Sequence, residues 1–235
     1  VPDTYLLDGQ SLVCDLLKGS ATEKYYIPRI AGSFARIVRK GSVADCSWIV
    51  TDKSGTKYYY GSSNESRLSE GNKIAQWKLD RIEDINGNCV KYVYAKDETN
   101  NGKSIYLKSI NYTGYNGEDG PYVIEFKSTK RSDVRMNCRY GFKTVYDSRL
   151  DSVTIKFEGS LVRRYDLIYK TGAYSHPVLT ELKQFAGSGN EFYSHKFEYE
   201  DSDDSVEGIF GEVEDWGSGS IGKRTDTGLD SNVSV

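Results

Sequence analysis

Four segments of this chain repeat one plan, and that repetition constrains the fold more than any other feature. Each opens Leu-x-x-aliphatic, passes through a turn and ends in a tyrosine-rich stretch of period two. The first runs Leu79-Asp80-Arg81-Ile82, turns at Asn86-Gly87-Asn88 and continues through Tyr92-Val93-Tyr94. The second opens Leu107-Lys108-Ser109-Ile110, crosses a glycine-rich stretch from Gly114 to Gly120, and ends on Tyr122, Ile124 and Phe126. The third opens at Leu150 and Val153, turns at Glu158-Gly159 and ends on Tyr165, Leu167 and Tyr169. The fourth opens at Leu179 and Leu182, turns from Gly187 to Asn190, and ends on Tyr193, His195, Phe197 and Tyr199. Period two places alternate side chains on one face of a strand. A single hairpin cannot bury such a face by itself. The units at 79–94, 107–126, 150–169 and 179–199 are therefore expected to stack as antiparallel hairpins. Their shared aromatic face is either core or an extended aromatic surface. The longer interval before the third unit is expected to hold an extra strand pair around Met136–Val145.

Upstream, Tyr5-Leu6-Leu7 and Leu12-Val13-Cys14 flank Asp8-Gly9, which signals a hairpin. A second hairpin is expected from Ser47-Trp48-Ile49-Val50, a turn over 52–55, and Tyr58-Tyr59-Tyr60. Residues 61–73 are polar and read as a loop. From Ile74 to Ile82 the pattern is ambiguous, since Ile74, Trp77 and Ile82 also fit one helical face. The run 201–206 is acidic, and a Gly-Ser-rich stretch follows Trp216. The expected division is a β domain over 1–205 and a linker or tail over 206–235 leading to a further domain. A chain that opens on Val1 rather than Met is expected to be a processed or excised segment.

Composition agrees with strands. Tyrosine outnumbers phenylalanine 19 to 8, with 23 glycines and 4 prolines. Flat amphipathic rings suit a half-buried pleated surface, and glycine supplies the positive φ of tight turns. The fold class expected is all-β: successive hairpins in an extended curved sheet, either a shell wall or a barrel-like segment. A net charge of −3 argues against a basic nucleic-acid face or a polybasic membrane contact. No apolar run approaches the length of a membrane-spanning helix.

Little in the chain suggests reaction chemistry. Two histidines are too few for a multi-histidine metal site. Cys14, Cys46, Cys89 and Cys138 form no C-x-x-C, which leaves buried thiols or any of three disulfide pairings. Asp84-Ile85-Asn86-Gly87-Asn88 has the look of a calcium loop, but its glycine falls at position 4 and Ala95 stands at position 12. It reads instead as a hairpin turn, with Asn86 and Gly87 supplying two positive-φ residues. His176 is expected in a turn before Pro177. His195, in phase with Tyr193 and Phe197, is expected as a hydrogen-bonded interior residue. No nucleophile or phosphate-loop motif is present. The expectation is a non-enzymatic chain with no cofactor and no metal.

The order Trp77-x-Leu79-x-x-Ile82-x-Asp84-x-Asn86-Gly87-Asn88-x-x-x-Tyr92-x-Tyr94 resembles the N-terminal domain family shared by SpvB-type virulence proteins, the B component of insecticidal Tc toxins and many Rhs/YD-repeat proteins. Leu6-Leu7-Asp8-Gly9, the Trp48 to Gly61 hairpin, Leu150-x-x-Val153 with Tyr165 and Tyr169, and Trp216-Gly217 extend the resemblance over roughly residues 5–220. The resemblance implies a β-rich wall element ahead of a β-propeller, one that builds with Rhs repeats a hollow shell around a toxic C-terminal polypeptide. Partners would then be other domains of the same polypeptide and a pore-forming toxin subunit, in a secreted or extracellular bacterial protein. The named motif residues would be structural. SpvB-type proteins also carry a transferase domain with an E-x-E signature, and Glu198-Tyr199-Glu200 and Glu212-Val213-Glu214 look like it. The accompanying Ser-Thr-Ser strand is absent, so transferase activity is not expected. The alternative is a secreted carbohydrate-binding or adhesin module, which requires several of Trp48, Tyr58, Tyr60, Trp77 and Trp216 to be exposed on one face.

Overall fold

Closely spaced turns fold the alternating segments back on one another, and the computed structural model is built of strands almost throughout. It describes residues 4–30, 32, 34–98, 102–172 and 175–199. The chain divides into two units, Val1–Glu198 and Tyr199–Val235, and the described strands all belong to the first. The acidic run 201–206, Glu200, Glu212, Glu214, Trp216 and the tail 206–235 lie outside the described residues.

The strands are β1 (Leu6–Leu7), β2 (Gln10–Gly19), β3 (Glu23–Pro28), β4 (Arg36–Ser42), β5 (Asp45–Thr51), β6 (Lys57–Tyr60), β7 (Arg67–Glu70) and β8 (Lys73–Trp77). They continue with β9 (Leu79–Glu83), β10 (Asn88–Asp97), β11 (Ser104–Tyr115), β12 (Tyr122–Asn137), β13 (Thr144–Phe157), β14 (Ser160–Thr171), β15 (Pro177–Ala186) and β16 (Glu191–Lys196). Fourteen form one antiparallel sheet in chain order, except that β6 pairs directly with β9, while β7 and β8 pair with each other. The sheet is open from β1 to β16, so the barrel-like form is not found. All four repeat units appear as hairpins: β9–β10, β11–β12, β13–β14 and β15–β16.

Three expectations need correction. Residues 61–73 are not all loop: Arg67–Glu70 forms β7 and pairs with β8, and Leu68 is among the most deeply buried side chains. The ambiguous stretch 74–82 is strand, split between β8 and β9. Met136 does pair with Val145, but as the distal rungs of the long β12–β13 ladder rather than as an added strand pair.

The turns also differ from the reading at Asn86-Gly87. Only Gly87 has positive φ there, at 88°. Asp84 and Asn88 close a five-residue loop, with Asp84 N donating to Asn88 O at 3.0 Å and Gly87 N to Asp84 O at 3.2 Å. This is a type I turn followed by a left-handed glycine. Residues 52–56 and 186–190 repeat it, with Gly55 and Gly189 in the glycine position. Two successive positive-φ residues occur instead at Asp8-Gly9, Asn116-Gly117 and Glu158-Gly159.

Candidate functional site

Cross-strand pairing sorts the N-terminal half of the sheet into two rows on one face. One row runs Cys14, Tyr26, Ile37, Val50, Tyr58, Ile82 and Val90, from β2 to β10. The next runs Lys24, Arg39, Trp48, Tyr60 and Leu79. Leu12, Tyr26, Ile37, Trp48 and Val50 make the buried core, with Tyr5, Leu7, Tyr58, Tyr60 and Trp77 packed on it. Edge-to-face rings knit this core: Tyr5 lies 4.9 Å from Trp48 and 5.8 Å from Trp77, and Trp48 lies 5.9 Å from Trp77. Such offset contacts place a ring's positive edge on a negative face.

Trp77 brings the β7–β8 hairpin onto this face. Its Nε1 donates to the Cys46 carbonyl at 2.7 Å, and Gln76 Nε2 donates to Tyr140 Oη at 2.5 Å. Between hairpin and sheet lies a cavity of about 830 Å³, lined by Leu7, Leu12, Ile37, Trp48, Tyr60 and Trp77 among others. The four described aromatic residues of the carbohydrate-binding alternative, Trp48, Tyr58, Tyr60 and Trp77, are thus packed rather than displayed. Trp48 is buried, and Tyr58, Tyr60 and Trp77 are half-buried.

From β11 to β16 the two faces separate by chemistry. One carries Ile110, Tyr122, Ile124, Phe126, Val153, Ile155, Phe157, Tyr165, Leu167 and Leu182 in cross-strand register. Among the described residues no second layer of strands packs over it, and its side chains are mostly only half-buried. The opposite face is laced with ion pairs: Lys156–Glu125 at 2.7 Å, Arg164–Asp166 at 3.0 Å and Lys183–Glu191 at 3.2 Å. Nearer the middle, Lys130 ties three strands together, reaching Asp97 at 2.9 Å and the buried Asp147 at 2.7 Å. That ammonium holds the Asp147 carboxyl below the usual carboxylate range.

The predicted motif residues hold the frame. Asp84 Oδ1 accepts from the backbone of Asn86 and Asn88 at 2.8 and 2.9 Å, and its Oδ2 accepts from Asn88 Nδ2 at 2.7 Å. These bonds, that from the Asn88 side chain foremost, lower the Asp84 pKa and account for both carboxylate oxygens as a turn cap. Tyr92 pairs with Ile110 and Tyr165 with Val153 and Gln184. Tyr94 and Tyr169 have a second task. The β9–β10 ladder runs only as far as Arg81–Lys91, and the β13–β14 ladder as far as Ser152–Asp166. Past those points Tyr94 Oη donates to the Leu79 carbonyl, and Tyr169 Oη to the Leu150 carbonyl, each at 2.8 Å. The tyrosine hydroxyl takes up the carbonyl left where two strands part. The Leu that opens a unit and the Tyr that ends it are therefore bonded partners.

One further expectation fails. His195 is exposed on β16 rather than interior, with its ring 4.8 Å from Phe197. His176 Nδ1 lies 3.0 Å from Asp133 Oδ2. All four cysteines are free, Cys46 and Cys89 buried, Cys14 half-buried and Cys138 exposed. No cluster among the described residues has the makings of a metal site. Composition gave no hint of Asp80, whose Oδ2 accepts from Ser62 N at 2.5 Å and Ser66 Oγ at 2.9 Å and shapes the loop before β7. Arg39, whose guanidinium donates to Tyr5 Oη at 3.2 Å, also escapes a reading of the sequence, because an isolated polar position carries no periodic signal.

Comparison with solved structures returns the same fold. The crystal structure of TcdB2-TccC3-Cdc42 aligns with TM-score 0.67 and 16% identity, covering 79% of this chain. The N-terminal domain of effector protein SpvB from Salmonella typhimurium strain LT2 aligns with TM-score 0.61 and 18% identity, covering 82% of this chain and 80% of that one. The Photorhabdus luminescens Tc holotoxin pore carrying the TccC3-D651A mutation aligns with TM-score 0.62 and 15% identity, covering 82% of this chain. This chain spans only 12% of each of the two Tc toxin chains. No curated protein matches the sequence. Residues 17–148, more than half of the chain, match the family described as Salmonella virulence plasmid 65kDa B protein, and the chain belongs to that SpvB family.

Proposed function

We propose that this chain is a non-catalytic wall segment of a longer, secreted bacterial toxin polypeptide, and that the wall helps to enclose a toxic part of the same polypeptide. The observation that carries the reading is the aromatic and aliphatic face from β11 to β16, over which no second layer packs among the described residues, set against an ion-paired face on the other side. A sheet apolar on one face needs cover. The simplest cover is an enclosed space or the cargo within it, with the ion-paired face turned to water. Among the described residues the outer edges of β1 and β16 have no strand partner, which also suits a segment continued by neighbouring strands, since unpaired edges invite pairing. Its partners are then a propeller, Rhs repeats and the cargo, with a pore-forming subunit receiving the assembly.

The test is the natural gene product, detected by immunoblot in the source organism with an antibody against residues 1–200. A band far above the 26.4 kDa of this chain, whose C-terminal part resists protease until the assembly is denatured, is the expected result. A band near 26.4 kDa, or a C-terminal part digested at once, would overturn the reading.

A further inference from the structure

Two cations stand opposite each other on neighbouring strands of the N-terminal half without a counter-ion. Lys24 on β3 and Arg39 on β4 are partners in the ladder, and they share the face that carries Tyr26 and Ile37. Like charges directly opposite across two strands are destabilising. Arg39 is only 8% exposed, and an arginine keeps its charge even when buried. Its guanidinium has one acceptor among the described residues, Tyr5 Oη at 3.2 Å from Nη1, while Nε is buried with none. Its centre lies 6.0 Å from that of the Tyr5 ring, at the outer limit of a cation–π contact. The acids nearest in the chain are committed elsewhere. Glu23 and Asp15 lie on the opposite face, where Glu23 pairs with Lys40, and Asp15 pairs with Lys18 at 3.6 Å. Among the described residues neither Lys24 nor Arg39 forms an ion pair. Lys24 is half-buried, and across from it on β2 stands Gly19, which has no side chain to cover it.

We propose that this pair binds a small oxyanion of the phosphate or sulfate class, held between the Lys24 ammonium and the Arg39 guanidinium. A buried charge left unpaired costs free energy, and a doubly charged anion answers both cations at once. The planar guanidinium offers parallel donors to two oxygens of a tetrahedral group, and the ammonium adds a compact point charge. Lys24 marks the way in, on the side that Gly19 leaves uncovered. Tyr5 Oη accepts from Arg39 and donates to no described residue, which leaves its proton for a third bond. The inference does not depend on the shell reading, because it concerns a site within this chain.

The test titrates the 235-residue chain with sulfate, inorganic phosphate, glycerol phosphate and acetate, at an ionic strength held constant with sodium chloride. Calorimetry and melting temperature are the readouts. Sulfate and phosphate are expected to bind one saturable site and to raise the melting temperature, as a ligand of the folded state does. Acetate, with one charge, should bind roughly ten-fold more weakly, the worth of one hydrogen bond to a charged group. Glycerol phosphate reports the source. Binding no tighter than that of inorganic phosphate supports a free anion, and tighter binding supports the phosphoryl group of a larger ligand. Lys24→Gln should weaken sulfate roughly ten-fold on the same scale, and Arg39→Met should abolish its binding. Lys53→Gln, on an exposed turn, should leave sulfate binding unchanged. On the unmutated chain, the Arg39 Nε–H signal followed by NMR should shift along the same saturation curve, which tests the contact without relying on a variant. Sulfate stabilisation no greater than that of chloride, equal affinity for acetate, or an unmoved Arg39 signal would each overturn the proposal.

Discussion

Trp77 occupies the space that a side chain at Gly61 would fill. A Cβ built on Gly61 would strike the indole Cδ1, and Gly61 itself holds φ at +66°. The glycine is thus needed twice, for its backbone conformation and for the ring seated against it. This contact, with the Trp77–Cys46 hydrogen bond, fastens the β7–β8 hairpin to the sheet.

Gly61→Ala should therefore destabilise the fold by about 1–3 kcal/mol, the usual cost of a strained backbone position. Trp77→Ala should cost about 3 kcal/mol, the low end for a large aromatic removed from a core. In the Trp77→Ala background the alanine at 61 should cost noticeably less, because one of its two penalties has gone. Urea unfolding of the four proteins measures the coupling. Strict additivity would mean that the ring and the glycine do not bear on each other.

Tyr94→Phe removes the donor that satisfies the Leu79 carbonyl, and Tyr169→Phe does the same to Leu150. Each should lower stability by roughly 1–2 kcal/mol, the cost of leaving a partly buried acceptor unpaired. The two caps share no partner, so the double variant should show the sum of the single losses. Shifts in urea midpoint at constant slope would check this.

Burial pushes the Tyr94 and Tyr26 hydroxyls up to about 12 from an ordinary 10.0. Above pH 10 the unfolded chain releases these protons while the folded chain keeps them. The stability they contribute is thus complete below pH 10 and is lost as pH rises toward 12. Melting temperature should fall through that window, in step with tyrosinate absorbance. Tyr94→Phe should flatten the slope, and an unchanged slope would show that Tyr94 titrates normally.

Gly87 sits at φ +88°, and a Cβ there would come within 2.5 Å of Asn116 Oδ1. Gly117 has nearly the same φ, +86°, but nothing around it within 4 Å. Gly87→Val should therefore cost more than Gly117→Val, with both losing about 1–3 kcal/mol to backbone strain. Asn116→Ala should recover part of the difference at position 87. Thermal midpoints of the set decide it, and a Gly87→Val protein as stable as the parent would contradict the turn geometry.

The hairpins were legible wherever alternation ran for several residues between glycine turns, as from Leu79 to Tyr94 and from Leu150 to Tyr169. Strands β7 and β8 were not, because Arg67–Glu70 offers one apolar residue, Leu68, and a two-stranded ribbon leaves little alternation to detect. Asn86-Gly87 by itself reads as the common two-residue turn. The bonds from Asn86 and Asn88 to Asp84 select a longer loop, and the Asp-x-x-Gly spacing shared by Asp52–Gly55 and Asp84–Gly87 could have shown it. The tyrosine caps also left a trace, since Leu79 with Tyr94 and Leu150 with Tyr169 bracket their units. The cavity left none, because its walls come from strands remote in sequence.

Chain-order pairing carries a kinetic consequence. Nearly every ladder of the large sheet closes only a short loop, so the entropy lost at each step is small. Low contact order of this kind favours fast assembly, and each hairpin can dock on its predecessor as the chain emerges during synthesis. The exception is β6, which must wait for β9 while β7 and β8 form between them. That junction, closed by the hydrogen bond from Gly61 N to the Lys78 carbonyl, is where growth of the sheet should pause, and it divides the molecule into an early-folding and a late-folding half.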